Sequence, residues 1–171
     1  MLLQPGCQTQ HMPETAPSLV IDTHWVLDLW AFGDRHAAAL RAEIEAGRAV
    51  WLASAAMRAE LTRVLAYPRI MAFLDQRAAA AGQTPECAVQ QTLAAFDHYA
   101  QLQADPPACP VRCRDPDDQP FIDLAVAHRA TLLSRDRAVL ALAGPLRTRG
   151  VCVRADWRVQ KPAVAGIIPQ P

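Results

Sequence analysis

Four acidic residues stand out from the pattern around them: Asp22, Glu60, Asp118 and Asp136. Asp22 ends the apolar run Ser18-Leu-Val-Ile, and Asp136 follows Leu132-Leu-Ser-Arg, which places each at the tip of a buried parallel strand. Glu60 shares a helical face with Met57, Leu61 and Val64, so a carboxylate interrupts an apolar stripe. Asp118 stands in the same relation to Phe121, Ile122 and Ala125. A buried, unpaired carboxylate costs several kcal/mol or takes up a proton, so Glu60 calls for a cation, a hydrogen-bond partner or a water-filled cleft. If the four converge, each pair at about 4 Å repels by roughly 4 kcal/mol at an effective dielectric of about 20. Such a cluster needs a cation, and oxygen donors without thiolates or paired histidines select Mg²⁺ or Mn²⁺ over zinc. An ion of that kind supports in-line hydrolysis of a phosphodiester by an activated water. Structural duties compete with this reading: Asp22, Asp118 and Asp136 suit helix N-caps, and Glu60 suits an ion pair with a nearby arginine.

The elements that must position these groups alternate along the chain. Strands are expected at about 18–22, 49–53, 109–113, 131–134 and 150–154, with helices at about 25–32, 36–46, 54–67, 69–81, 85–102, 118–128 and 137–143. Ser54 and Thr84 read as helix caps, Pro85 as a first helical residue, and Gly47 and Gly82 as helix ends. Gly144-Pro145 reads as a turn. Strand and helix in alternation predict a three-layer α/β/α fold around a parallel sheet of about five strands, with a helical insert at about 69–102. In such a sheet the functional crevice lies beyond the carboxyl ends of the strands, at the switch point of strand order. Residues 1–17 read as a disordered leader, 18–158 as the domain, and 159–171 as a flexible tail.

Composition narrows the function classes. The chain has 171 residues, 51% hydrophobic and 20% charged, which fits one globular domain. Seventeen basic and seventeen acidic residues balance, so a nucleic acid would have to meet a local patch. The one lysine, Lys161, lies in the tail, which argues against Schiff-base chemistry. It also argues against a phosphoacceptor receiver, which needs a lysine near the last strands. The seven glycines build no phosphate-binding loop. A haloacid-dehalogenase-type phosphatase needs an aspartate where His24 stands. Cys7, Cys87, Cys109, Cys113 and Cys152 lack CxxC spacing and read as free thiols in a reducing compartment. Cys109 and Cys113 read as small buried hydrophobes. The first residues show no apolar h-region, which predicts a cytoplasmic protein.

Taken in order, Val20-Ile-Asp22-Thr-His24, Glu60-Leu-Thr-Arg-Val-Leu-Ala-Tyr-Pro68, Cys113-Arg-Asp-Pro-Asp-Asp118-Gln-Pro-Phe121 and Leu132-Leu-Ser-Arg-Asp136 resemble a PIN domain. The resemblance spans about 20–155. The Arg-Asp-Pro-Asp-Asp loop and the Glu-Leu-x-x-Val-Leu helix are similar to a bacterial branch described as toxin components of toxin-antitoxin systems. The resemblance implies a Rossmann-like sheet and a Mg²⁺- or Mn²⁺-dependent ribonuclease, often dimeric and inhibited by a small antitoxin protein. It implies Asp22, Glu60, Asp118 and Asp136 as catalytic metal ligands, with Thr23 and Ser134 steadying the ligands or a water. The family usually has Asn where this chain has His24. That histidine is expected to cap the first helix, with water orientation, metal binding or titration near neutral pH as other roles.

Other residues around the expected mouth carry weaker readings. Asp115 and Asp117 crowd the loop before Asp118 as supporting or merely solvated carboxylates. Arg114, Arg135 and Arg137 are candidates for RNA phosphate contacts or for simple charge balance. Asp123 lies five residues past Asp118 and is expected to point elsewhere. Met71, Phe73, Leu74, Val89, Leu93 and Phe96 form either core or a groove for a second copy or an antitoxin. A binding module that holds RNA or an antitoxin without cutting is the alternative to the nuclease.

Overall fold

The stretch Ser18–Ile21, apolar after its first residue and ending in the β-branched pair Val20-Ile21, forms β1, the central strand of a five-stranded, all-parallel sheet. We describe it in a computed structural model that covers residues 16–80 and 82–158. The remaining strands are β2 (Val50–Ser54), β3 (Ala100–Gln103), β4 (Thr131–Leu133) and β5 (Val153–Arg154), in the order β3-β2-β1-β4-β5. Helices flank the sheet, giving three α/β/α layers. Leu19 sits opposite Trp51 of β2 on one side and Thr131 of β4 on the other. The chain first builds outward from β1 through β2 to β3, then returns to the other side of β1 for β4 and β5. The switch point of strand order therefore lies between β1 and β4, where a ligand crevice is expected in such a sheet.

Helix α1 (Thr23–Val26) continues into a π-helical turn, Leu27–Ala31, closed by a hydrogen bond of 2.7 Å from the Phe32 N–H to the Leu27 carbonyl. Gly33 follows at φ +57°, and a Cβ there would lie 2.7 Å from the Arg77 guanidinium. Then come α2 (Ala38–Glu45), α3 (Ala55–Leu65), α4 (Pro68–Ala80), α5 (Pro85–Tyr99), α6 (Gln119–His128), α7 (Arg137–Leu140) and α8 (Ala143–Arg147). Ser54 caps α3 by accepting from the Met57 N–H at 3.4 Å, as its sequence position suggests. Thr84 precedes α5 without a side-chain capping bond.

Three sequence expectations change. The third strand is Ala100–Gln103, inside the stretch that reads as the end of a helix, while the segment about 109–113 is irregular. Pro110 has no N–H to give a ladder, and side chains satisfy the backbone on either side of it. Cys109 N donates to Asp123 Oδ1 at 2.9 Å, Gln119 Nε2 donates to the Val111 carbonyl at 3.0 Å, and Cys113 N donates to Gln119 Oε1 at 2.8 Å. Gly144-Pro145 lies within α8, whose first turn tolerates a proline because the missing N–H would have no helical partner. Pro17 belongs to the fold, since its carbonyl accepts from Val50 N at 3.0 Å. The rest of the expected leader up to residue 15, and the expected tail at 159–171, lie outside the described residues.

The helical insert is largely core. Leu74 and Phe96 are buried, and Val89 and Leu93 pack against the core from partly covered positions. Phe96 meets Trp51 edge-on at 4.8 Å, and Trp51 stacks on Trp30 at 5.1 Å, which ties α5 to β2 and to the π turn. Phe73 alone of the six stays exposed, in edge contact with Phe32. Among the described residues no helix is long and apolar enough to cross a membrane.

Candidate active site

The two strand-borne carboxylates are placed by the sheet itself. Asp22 follows β1 directly; its N–H donates to the Leu133 carbonyl of β4 at 3.0 Å, and its Oδ1 accepts from Trp25 N at 2.9 Å to cap α1. The helix cap expected of His24 is thus made by Asp22, and His24 stands exposed at the rim of the cleft. Asp136 is set two residues past the buried Ser134, whose Oγ accepts from the Asp136 N–H at 3.0 Å. Asp136 Oδ1 in turn caps α7 by accepting from Ala138 N at 2.6 Å. Capping and cleft duties thus coexist, since each carboxylate has a second oxygen.

Helices supply the other two. The core face of α3 is Met57, Leu61 and Leu65, all buried. Glu60 lies beside that stripe on a second face with Arg63 and Val64, one turn on, and this face lines the cleft together with Tyr67 from the bend after α3. Glu60 has no ion pair among the described residues; its partner is the Thr23 hydroxyl, which donates to Oε1 at 2.9 Å. Asp118 occupies the cap position of α6 but makes no side-chain capping bond. The turn before it is fixed by Asp115, which accepts from Asp117 N at 3.0 Å, and by Pro116 and Pro120.

Asp22, Glu60, Asp118 and Asp136 line a single cleft of about 330 Å³, together with Asp115 and Asp117. The electrostatics follow from that crowding. Burial is the largest influence on Asp118, and Asp136, Asp115, Asp22 and Glu60 add to it, so its carboxyl is pushed up to about 6. Burial also raises Glu60, against the opposing pull of the Thr23 hydroxyl and of Arg63, while Asp117 and Asp22 push it further up.

The donor chemistry fits a hard divalent ion. Asp22 Oδ2, Glu60 Oε2, Asp136 Oδ2 and both Asp118 oxygens receive no hydrogen bond from a described residue. The spacing is looser than a coordination sphere: among the described residues no three His, Cys, Asp or Glu side chains form a group close enough to hold an ion as they stand. Thr23 and Ser134 are buried; the Thr23 hydroxyl donates to Glu60 and the Ser134 Oγ accepts from the Asp136 N–H.

The arginines separate. Arg135 pairs with Asp28 and lies 4.3 Å over the Trp25 ring, so it latches the loop after β4 to the helix after β1. Burial raises the Asp28 carboxyl despite Arg135. Arg114 borders a shallow depression with Asp115, Pro116, Asp136 and Ala138, and Arg137 is exposed at the start of α7. Asp123 points away from the cleft, accepting from Cys109 N and from Gln119 Nε2 at 2.8 Å.

A family model of the PIN domain matches residues 18–138, a span that includes β1 to β4 and all four carboxylates. The chain belongs to the PIN-domain family. No curated protein matches it at a significant level. PIN domains are generally nucleases and typically use divalent metal ions, so a hydrolase is the coarse class of this protein. Arg63 and Tyr67 also line the cleft, and only Arg63, three residues past Glu60 on α3, carries a signal in its spacing; Tyr67 sits in the bend before Pro68.

Proposed function

We propose that this PIN domain is a Mg²⁺- or Mn²⁺-dependent endoribonuclease, with Asp22, Glu60, Asp118 and Asp136 as its catalytic carboxylates and metal ligands. One observation carries the reading: four carboxylates from four separate elements face one cleft at the β1/β4 switch point. A divalent ion bound there supplies charge neutralisation at a phosphate and an activated water. Everything else is work for the chain. Thr23 orients Glu60, and Ser134 fixes Asp136. The ladder bond from Asp22 to Leu133 holds the two strand tips together. Asp115 shapes the turn that presents Asp118, and His24 and Arg63 are the basic groups on the cleft wall. Arg114 and Arg137 are offered to neighbouring phosphates, with Arg135 committed to Asp28.

The sequence motifs support a cytoplasmic toxin restrained by a small antitoxin protein, working as a homodimer. The loose spacing of the carboxylates favours the second reading, a PIN-fold module that binds RNA or an antitoxin without cutting. A cleavage assay separates them. Purified protein is incubated with single-stranded RNA in Mn²⁺, in Mg²⁺ and in EDTA, beside Asp118→Asn. Products that require the metal and vanish in the variant support the nuclease; no products from wild type in either metal leave the binding module.

A further inference from the structure

The cleft lining is chemically mixed. Beside the carboxylates it includes Leu27, Phe32, Val64, Tyr67, Ile70 and Phe121, none of which a hydrolytic site of carboxylates requires. Two of the three large hydrophobic side chains most exposed among the described residues belong to this apolar surface: Tyr67 at 45% and Phe73 at 47%, the latter 4.7 Å from Phe32. Exposed apolar surface that is contiguous with a cleft marks a binding site.

We propose that this wall is a nucleobase subsite, in which one unpaired base next to the scissile phosphate packs against Tyr67, Phe32 and Ile70. This rests on the nuclease reading for the phosphate's place and adds what holds the base. The acidic end of the cleft takes a phosphate only through a cation. His24 and Arg63 line the same cleft; the Arg63 guanidinium offers charge complementarity to phosphate oxygens and His24 a ring nitrogen for a hydrogen bond. A base joined to that phosphate through one sugar ring then meets the apolar side. Bases in a duplex are stacked inward and cannot present a face to such a wall, whereas unpaired bases stack on aromatic side chains.

Binding tests the subsite apart from catalysis. Fluorescence anisotropy of labelled deca-adenylate is followed with the full chain in Ca²⁺, for wild type, Tyr67→Ala, Tyr67→Phe and Phe32→Ala. Thermal melts check that each variant is folded. Tyr67→Ala is expected to raise Kd by about 5- to 150-fold, the worth of one base-aromatic stack. Tyr67→Phe should stay within about twofold because the ring face is kept. A decamer that is abasic at every position should bind wild type as weakly as deca-adenylate binds Tyr67→Ala. Unchanged affinity in both alanine variants, or no binding by wild type, overturns the subsite and leaves the wall to a protein's apolar side chains. Base-dependent binding without any cleavage in Mn²⁺ would sink the nuclease and keep the subsite. Cleavage that ignores both rings would do the reverse.

Discussion

Asp118 and Asp123 stand five residues apart on the same stretch of chain and live opposite lives. Asp123 is satisfied: it accepts from the Cys109 backbone and from Gln119, and Gln119 in turn grips Val111 and Cys113. That clamp gives the irregular segment 109–113 the hydrogen bonds a strand would have found in a ladder. Asp118 has no capping bond and faces other carboxylates, so burial and like charge both work against its ionised form. One aspartate lowers the energy of the fold; the other raises it.

The sharpest way to break that comparison is to neutralise each in turn. Asp118→Asn should lower metal-dependent RNA cleavage at least about 100-fold, equivalent to roughly 2.7 kcal/mol of lost transition-state stabilisation, whereas Asp123→Asn should stay within about threefold if its role is structural. Rates of a labelled RNA in Mn²⁺ decide this, and equal losses in the two variants would erase the distinction. Metal should separate them a second time. Mn²⁺ at a hundredfold excess over its Kd should stabilise wild type and Asp123→Asn by about 2.7 kcal/mol, a rise of roughly 5–11 °C in Tm at this size. Asp118→Asn should show little of it.

Removing the clamp reverses the ranking. Asp123→Ala orphans two donors and should cost about 2 kcal/mol, or some 4–8 °C in a calorimetric melt without metal. Asp118→Asn should do the opposite and stabilise the metal-free protein at neutral pH by about 1 kcal/mol, a figure kept small because the group is half exposed and solvent screens it. The sign with pH follows from a carboxyl held at about 6 in the fold and near 3.8 unfolded. Between those values the folded state binds the proton more tightly, so stability falls as pH rises from about 4 to about 6. Glu60 and Asp28 are raised in the same direction. Denaturant midpoints at pH 4.5 and 6.5 should therefore converge in Asp118→Asn; an unchanged difference would mean that other groups set it.

Much of the fold is legible because buried parallel strands announce themselves. Leu19-Val-Ile and Leu132-Leu are unbroken apolar runs, and their ends mark the switch point. β3 is hidden for the opposite reason: Ala100-Gln-Leu-Gln103 is a half-exposed edge strand with little intrinsic β preference, continuing a helical spacing without a break. Its pairing with β2, a contact distant in sequence, decides its conformation. Pro110 and the alternation around it imitate a strand that long-range side-chain bonds forbid. The convergence of Asp22, Glu60, Asp118 and Asp136 on one cleft could be read from their positions, whereas the fate of Arg135 could not. Its partner, Asp28, lies 107 residues earlier. The face of α3 that meets the cleft carries Glu60 in helical register, whereas Tyr67 reaches the cleft from the bend after that helix, where no periodicity points to it.

The π turn at Leu27–Ala31 makes segment length a carrier of information that composition cannot replace. Five residues on an α-helix carry a side chain about 140° round the axis, yet Leu27 and Phe32, five apart, both line the cleft because the turn holds one residue more than an α-helical one. Winding the same five residues into a regular α-helix would swing Phe32 away from the face of Leu27, whereas deleting one of them would leave the two four apart and still on one face. The extra residue therefore changes which side chains between Leu27 and Phe32 face outward while leaving the two ends of the turn in line with the cleft.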